Sequence, residues 1–245
     1  MYAIVRVAER DARPSPMPFT TPHVYVVDDD ISVREALELL IRNEGWQPEI
    51  FATAREFLAC PPTLAPSCLV LDVTLPDLNG LELQERIADR MDMPIIFITG
   101  YGDVPMTVRA MKAGAVEFLI KPFGEDVLLA AIRNALERSH AALDKEAEMQ
   151  GLRACYAALS AREREVMALV VAGLMNKQVG GELGISEITV KAHRGRVMRK
   201  MEAHSLADLV TMAAKLRLAP APKSEHPIAR SLARSTAGPV APDHC

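Results

Sequence analysis

Three carboxylates in a row, Asp28, Asp29 and Asp30, follow directly on the short apolar run "VYVV". Like charges so close repel one another, so the stretch calls for a reason. Asp30 stands just before the helical pattern "ISVREALELLI" and suits a helix N-cap, where a short acceptor side chain and negative charge are both favourable. That leaves Asp28 and Asp29. Hard cations take oxygen ligands, and Mg²⁺ is commonly held by one or two carboxylates with waters and phosphate oxygens. A third carboxylate from a distant part of the chain would turn this pair into a cation site.

The elements that must position these groups can be read from periodicity. Residues 24–27, 48–51, 68–71, 95–98 and 117–120 are short β-type runs. Helical patterns at 31–44, 53–60, 80–90, 104–113 and 125–138 alternate with them. Strict alternation predicts an α/β domain with a parallel sheet and helices on both faces. In such sheets a site lies beyond the carboxyl ends of the strands, where the strand order reverses. The residues just past those ends are Asp28 and Asp29, Asp72, Thr99 and Lys121. Two acids, a further acid, a hydroxyl and an amine are thus expected on one rim. A carboxylate attacking a phosphoryl group would need such a rim, because anion meets anion there and positive charge must offset both.

The segments "VVDDD", "LVLDVTLPDLNGLEL", "PIIFITGYGD" and "AMKAGAVEFLIKPF" resemble the receiver domain of bacterial two-component response regulators over nearly all of 23–138. The resemblance implies a flavodoxin-like, doubly wound five-stranded sheet. It implies that Asp72 accepts a phosphoryl group from a sensor histidine kinase. Asp28, Asp29, Asp72 and the backbone carbonyl of Thr74 would hold Mg²⁺ or Mn²⁺, with Thr99 and Lys121 on the phosphoryl oxygens. Phe118 would be the aromatic that turns inward when Thr99 is drawn to phosphate. The helix 104–113, with Val104, Val108 and Met111, and the strand 117–120 would form a symmetric dimer face. Thr74 stands where relatives often carry Arg or Met, which bears on how easily water reaches the phosphoryl group.

Beyond a helical linker, expected at 139–158 with an interruption near Gly151, the pattern becomes all-helical. Ser160 with Glu163 reads as a capping box opening a helix at about 161–172. Helices follow at 176–183, at 187–201 after a turn at Gly184-Ile185-Ser186, and from Ser205. Two helices across a short glycine-containing turn make a helix-turn-helix. The second of them carries Lys191, Arg194, Arg196, Arg199 and Lys200 against Glu187 alone, with Ile188, Val190, Val197, Met198 and Met201 assigned to apolar anchoring. A basic second helix suits the major groove. Residues 159–217 resemble the LuxR-type output domain, and the order of domains resembles the FixJ/NarL group. That resemblance implies DNA contacts from Lys177, Thr189, Val190, Lys191, His193, Arg194 and Lys200. Val190, Lys191 and Arg194 would lie nearest the bases. Relatives often have Asn at the place of Arg196, and Gly180, Gly181 and Gly195 are expected to loosen their helices.

Charge follows the same division. Residues 23–138 hold 10 Lys and Arg against 19 Asp and Glu, whereas residues 155–217 hold 10 against 6. Cys60, Cys68, Cys155 and Cys245 are scattered without metal spacing, which suits free thiols in the cytoplasm rather than a disulfide frame or zinc site. No apolar run approaches the ~18 residues of a membrane span. Residues 1–22 read as a flexible extension and 218–245 as a disordered tail. The expected function is a phosphorylation-dependent, DNA-binding transcription regulator that pairs when phosphorylated, with promoter DNA, the kinase and RNA polymerase as partners. It would catalyse only its own phosphorylation and dephosphorylation. The rival is a regulator whose receiver is a dimerisation scaffold indifferent to phosphate. A phosphoaspartyl hydrolase is disfavoured, since Thr74 occupies the place of that class's second acid.

Overall fold

The computed structural model describes residues 21–88 and 92–218. The chain divides into two compact units between Glu146 and Ala147. The extension expected at 1–22 and the tail expected at 218–245 lie outside the described residues, apart from Thr21, Pro22 and Leu218.

The first unit alternates strand and helix. The strands are β1 (His23–Val27), β2 (Gln47–Phe51), β3 (Ser67–Asp72), β4 (Ile95–Thr99) and β5 (Glu117–Ile120). The helices between and after them are α1 (Ile31–Asn43), α2 (Ala54–Ala59), α3 (Gly80–Arg86), α4 (Val104–Lys112) and α5 (Glu125–Ala157). All pairings are parallel, in the order β2-β1-β3-β4-β5. Strand order therefore reverses between β1 and β3, which places the crevice beside the ends carrying Asp28 and Asp72. The three central strands are buried on both faces: Tyr25, Leu69, Leu71 and Phe97 pack on one side, Val24, Val26, Val70, Ile96 and Ile98 on the other. Two-sided burial explains why the strands read as continuous apolar runs without alternation.

Helix starts follow local capping. Side chains of Asp30, Thr53, Asn79 and Asp103 each accept an amide N–H in the first turn of α1, α2, α3 and α4. The expected helix at 80–90 is shorter than its periodicity suggested. It ends at Arg86, and Ile87 leaves helical geometry (φ −108°) and buries its side chain in the core. Helix α5 runs without a break through Gly151, so the expected interruption there is absent.

The second unit holds the remaining length of α5 and α6 (Ala161–Val171), α7 (Asn176–Leu183), α8 (Glu187–Lys200) and α9 (Leu206–Lys215) around Val166, Met167, Val170, Val179, Val190 and Val197. Ser160 and Glu163 form the expected capping box. Among the described residues, no helix is long and apolar enough to cross a membrane.

Candidate functional site

The carboxyl ends of β1, β3 and β5 bring together groups far apart in sequence. Asp28 and Asp72 are buried and Asp29 is exposed, and one carboxylate oxygen from each lies within 4.8 Å of the other two. Lys121 reaches in from the end of β5, with Nζ 2.6 Å from Asp28 Oδ2 and 2.8 Å from Asp72 Oδ2. Burial raises the Asp28 carboxyl above the ordinary carboxylate value, even though the Lys121 hydrogen bond pulls the other way. Burial would also weaken the Lys121 ammonium, but its bonds to Asp28 and Asp72 prevail and hold its pKa above the usual lysine value.

The remaining lone pairs are met by the backbone. The Asp30 amide donates to Asp28 Oδ1 at 3.0 Å, and the Thr74 amide to Asp72 Oδ1 at 2.9 Å. Oxygen donors crowded in this number suit a hard divalent cation, and an all-carboxylate set is unsuited to a soft one. Thr99 is buried at the end of β4. Its hydroxyl is engaged with its own loop, accepting from the Tyr101 amide at 3.2 Å and donating to the Tyr101 carbonyl at 3.3 Å. The five rim residues singled out in the sequence thus stand at the ends of their strands.

Three supporting residues escaped the sequence reading. The Arg34 guanidinium donates to the backbone carbonyl of Asp28 at 2.7 Å, clamping the β1–α1 turn. The Asp77 carboxylate accepts the Ala54 and Arg55 amides at 3.2 and 3.0 Å and so ties the loop after Asp72 to α2. At Gly80 a Cβ would sit 2.5 Å from the Asp72 carbonyl oxygen, so only glycine lets that loop close on β3. The dipeptide Asn79-Gly80 was the available signal for a tight approach.

Phe118 is half-buried, its ring 6.1 Å from that of Phe97. A Cβ on Gly102 would lie 3.1 Å from Phe118 Cε1, so the ring rests directly on the β4–α4 loop. Val104, Val108 and Met111 are exposed on α4, and Ile120 is exposed at the end of β5.

In the second unit α7, a turn and α8 form the helix-turn-helix. Gly184 takes the left-handed conformation (φ 66°) at the C-cap of α7, and Ser186 caps α8. Gly180 is no loosening residue: a Cβ there would meet the Ile185 carbonyl oxygen at 2.7 Å, so it admits the turn to the face of α7. Gly181 and Gly195 have open space around them.

The expected DNA contacts separate into two groups. Lys177 and Lys191 are exposed, Lys191 pairing with Glu187 at 3.1 Å. Arg194 is half-buried and donates to Asn176 Oδ1 at 3.2 Å, and Thr189 shares a 2.8 Å hydrogen bond with Ser186. His193 is half-buried, and its Nδ1 has no hydrogen-bond partner among the described residues. One expectation fails: Val190 is fully buried in the core and offers no surface to a base. The Lys200 ammonium is committed to Glu163 Oε2 at 2.7 Å and the Ala158 carbonyl at 3.0 Å, which makes it a staple between α8 and the start of α6. With the lysine hydrogen bond first and the Ser160 amide next, the Glu163 carboxyl is lowered to about 2. Conversely Ile188, assigned to apolar anchoring, is 80% exposed, and Arg196 and Arg199 are exposed as well.

Two family models match: the response regulator receiver domain over residues 24–133, and the bacterial regulatory proteins of the luxR family over 157–213. Nodulation protein W of Bradyrhizobium diazoefficiens is 52% identical over 194 residues, covering 79% of this chain and 86% of that protein. The chain belongs to the LuxR-type response regulators. Among them, the transcriptional regulatory protein FixJ of the same organism is 44% identical over 79% of this chain and 95% of its own. A solved structure of the response regulator StyR is 47% identical, with a TM-score of 0.73 over 80% of this chain and all of that one. As a LuxR-type response regulator the chain joins a receiver to a DNA-binding domain that regulates transcription, which makes a cognate kinase and promoter DNA its implied partners. Its acidic pocket of Asp28, Asp29 and Asp72 is the place where receivers generally bind their divalent ion.

Proposed function

We propose that Asp72 is the phosphoacceptor, that the receiver pairs on phosphorylation, and that pairing sets two output domains on an inverted-repeat operator in the cytoplasm. The observation that carries this reading is the convergence at the sheet rim: Lys121 Nζ within 2.8 Å of both Asp28 and Asp72, with Asp29 completing the carboxylate cluster.

Asp72 would attack with its carboxylate, oriented by the Thr74 amide on Oδ1. Bound Mg²⁺ or Mn²⁺, held by Asp28, Asp29, Asp72 and the Thr74 carbonyl, would supply the charge that offsets carboxylates and phosphoryl oxygens. Lys121 adds a compact point charge on the same side, available to a phosphoryl oxygen once it leaves Asp28. The Thr99 hydroxyl would exchange its Tyr101 partners for a phosphoryl oxygen, drawing the β4–α4 loop inward. Phe118, packed against Gly102 in that loop, has no hydroxyl and would respond by packing alone. The exposed apolar face of Val104, Val108 and Met111 would then bury against a second copy. The receiver acts on no substrate other than its own phosphoryl group.

The test uses the full chain with a small-molecule phosphodonor or beryllium fluoride, Mg²⁺ present, reading oligomeric mass and promoter binding. Wild type should change from monomer to dimer and Asp72→Asn should not. An unchanged mass in wild type, or equal promoter binding by both proteins under phosphodonor, would instead support the phosphate-indifferent scaffold.

A further inference from the structure

Helix α8 has about 3.6 residues per turn, which sorts its side chains by face. Val190, Val197 and Met201 fall on the side that meets the core. Ile188, Lys191, Ala192, Gly195 and Arg199 fall on the opposite side, and all five are exposed. The middle of this outward stripe is small, Ala192 and Gly195, and a Cβ on Gly195 would meet nothing within 4 Å. The backbone there can approach a groove floor closely. Long side chains stand at either end: Arg199 towards the C-terminus, and in the first two turns Ile188 and Lys191.

An exposed isoleucine taken alone says little, since single apolar side chains are common on surfaces. Its place does the arguing. Ile188 shares a face with Lys191 and Arg199 on the second helix of a helix-turn-helix, and the N-terminal residues of that helix are the ones that reach base edges. The basic side chains can meet phosphates or guanine edges, and the apolar one can meet neither. In the major groove the apolar feature on offer is the C5-methyl group of thymine. Ser186 caps the helix and fixes the first turn, so the isoleucine is presented by a rigid backbone with a stiff, β-branched side chain.

We propose that Ile188 reads a thymine methyl group in the major groove and thereby sets one base of each operator half-site. The proposal rests on the DNA-binding reading of α8. It replaces Val190, which is buried, as the apolar base contact of this helix.

The full chain, activated with beryllium fluoride and Mg²⁺, would be used to select binders from a duplex pool with a randomised core, alongside Ile188→Ala. Ile188 makes no core contact and alanine favours helix more, so the variant should fold; circular dichroism checks this. The wild-type consensus should contain a thymine that becomes degenerate in Ile188→Ala while the other positions persist. Replacing that thymine by deoxyuridine, which removes only the methyl group, should weaken wild-type binding about threefold to fivefold and leave the variant unaffected. A shared, unchanged consensus, or equal loss on deoxyuridine in both proteins, overturns the proposal while leaving DNA binding intact. Failure of wild type to select any sequence overturns the DNA-binding reading and this proposal together.

Discussion

Lys121 lies where a cation belongs. Its ammonium bridges Asp28 and Asp72 at 2.6 and 2.8 Å, offsetting part of the charge that Asp28, Asp29 and Asp72 bring together. A buried carboxylate pair without counter-charge would be costly, so the amine stabilises the rim and also competes with a divalent ion for Asp28. Lys121→Met should therefore tighten Mg²⁺ binding by roughly 3- to 10-fold, the scale of one lost competing contact near a protein surface, while lowering phosphoryl transfer to Asp72. Calorimetric titration with Mg²⁺ and a phosphodonor assay separate the two effects; weaker Mg²⁺ binding in the variant would contradict the competition. The positions of Asp28, Asp29, Asp72, Thr99 and Lys121 were legible because a parallel sheet delivers strand ends to one rim. Arg34 and Asp77 were not, because an arginine or aspartate on a loop or first turn looks like a solvated charge until its backbone partner is known.

Helices and turns show where periodicity suffices and where it misleads. The alternation of elements and the capping side chains came through, since both are local. Faces came through less well: Ile188 and Val190 sit two residues apart, and only packing against α6 and α7 shows which of them is core. Glycine was misread for the same reason, because its helix penalty is local and its space requirement is not. Gly180→Ala should destabilise the output domain by about 1–3 kcal/mol, because the Ile185 carbonyl is backbone and cannot step aside cheaply. Gly181→Ala, one position on in open space, should stabilise it by about 0.5–1 kcal/mol. Thermal unfolding of the two variants of the full chain checks the contrast. The Glu163–Lys200 staple predicts a pH effect. Folding lowers the Glu163 carboxyl from 4.5 to about 2, so its stabilisation is complete above pH 4.5 and is lost as pH falls through that window toward 2. Glu163→Gln should lose that component of acid sensitivity, seen as a shallower fall in output-domain stability between those pH values.

Across the whole molecule, opposite charge balances suit the two units to opposite tasks. The receiver region holds 19 acids against 10 bases, and the output region 10 bases against 6 acids. The acidic unit attracts a divalent ion, and the basic one binds a polyanion with an affinity that salt must weaken. If the receivers pair on phosphorylation as proposed, a second copy can carry the coupling from the receiver to the output domain. A coupling of about 1–3 kcal/mol between phosphorylation and pairing would change operator occupancy about 5- to 150-fold. On the proposed reading, the apolar α4 face is where that coupling could be cut without touching the acidic pocket. Val108→Asp adds a charge to an exposed position on α4 and removes nothing from the core. It should leave phosphoryl transfer to Asp72 and the DNA affinity of the unphosphorylated protein as they are. Phosphodonor should then fail to produce a dimer, because a carboxylate from each copy would be buried against an apolar partner. DNA affinity under phosphodonor should fall to the unphosphorylated level. Should Val108→Asp still pair and still gain affinity on phosphorylation, the α4 face would not be the pairing surface, and the coupling would have to run through another part of the chain.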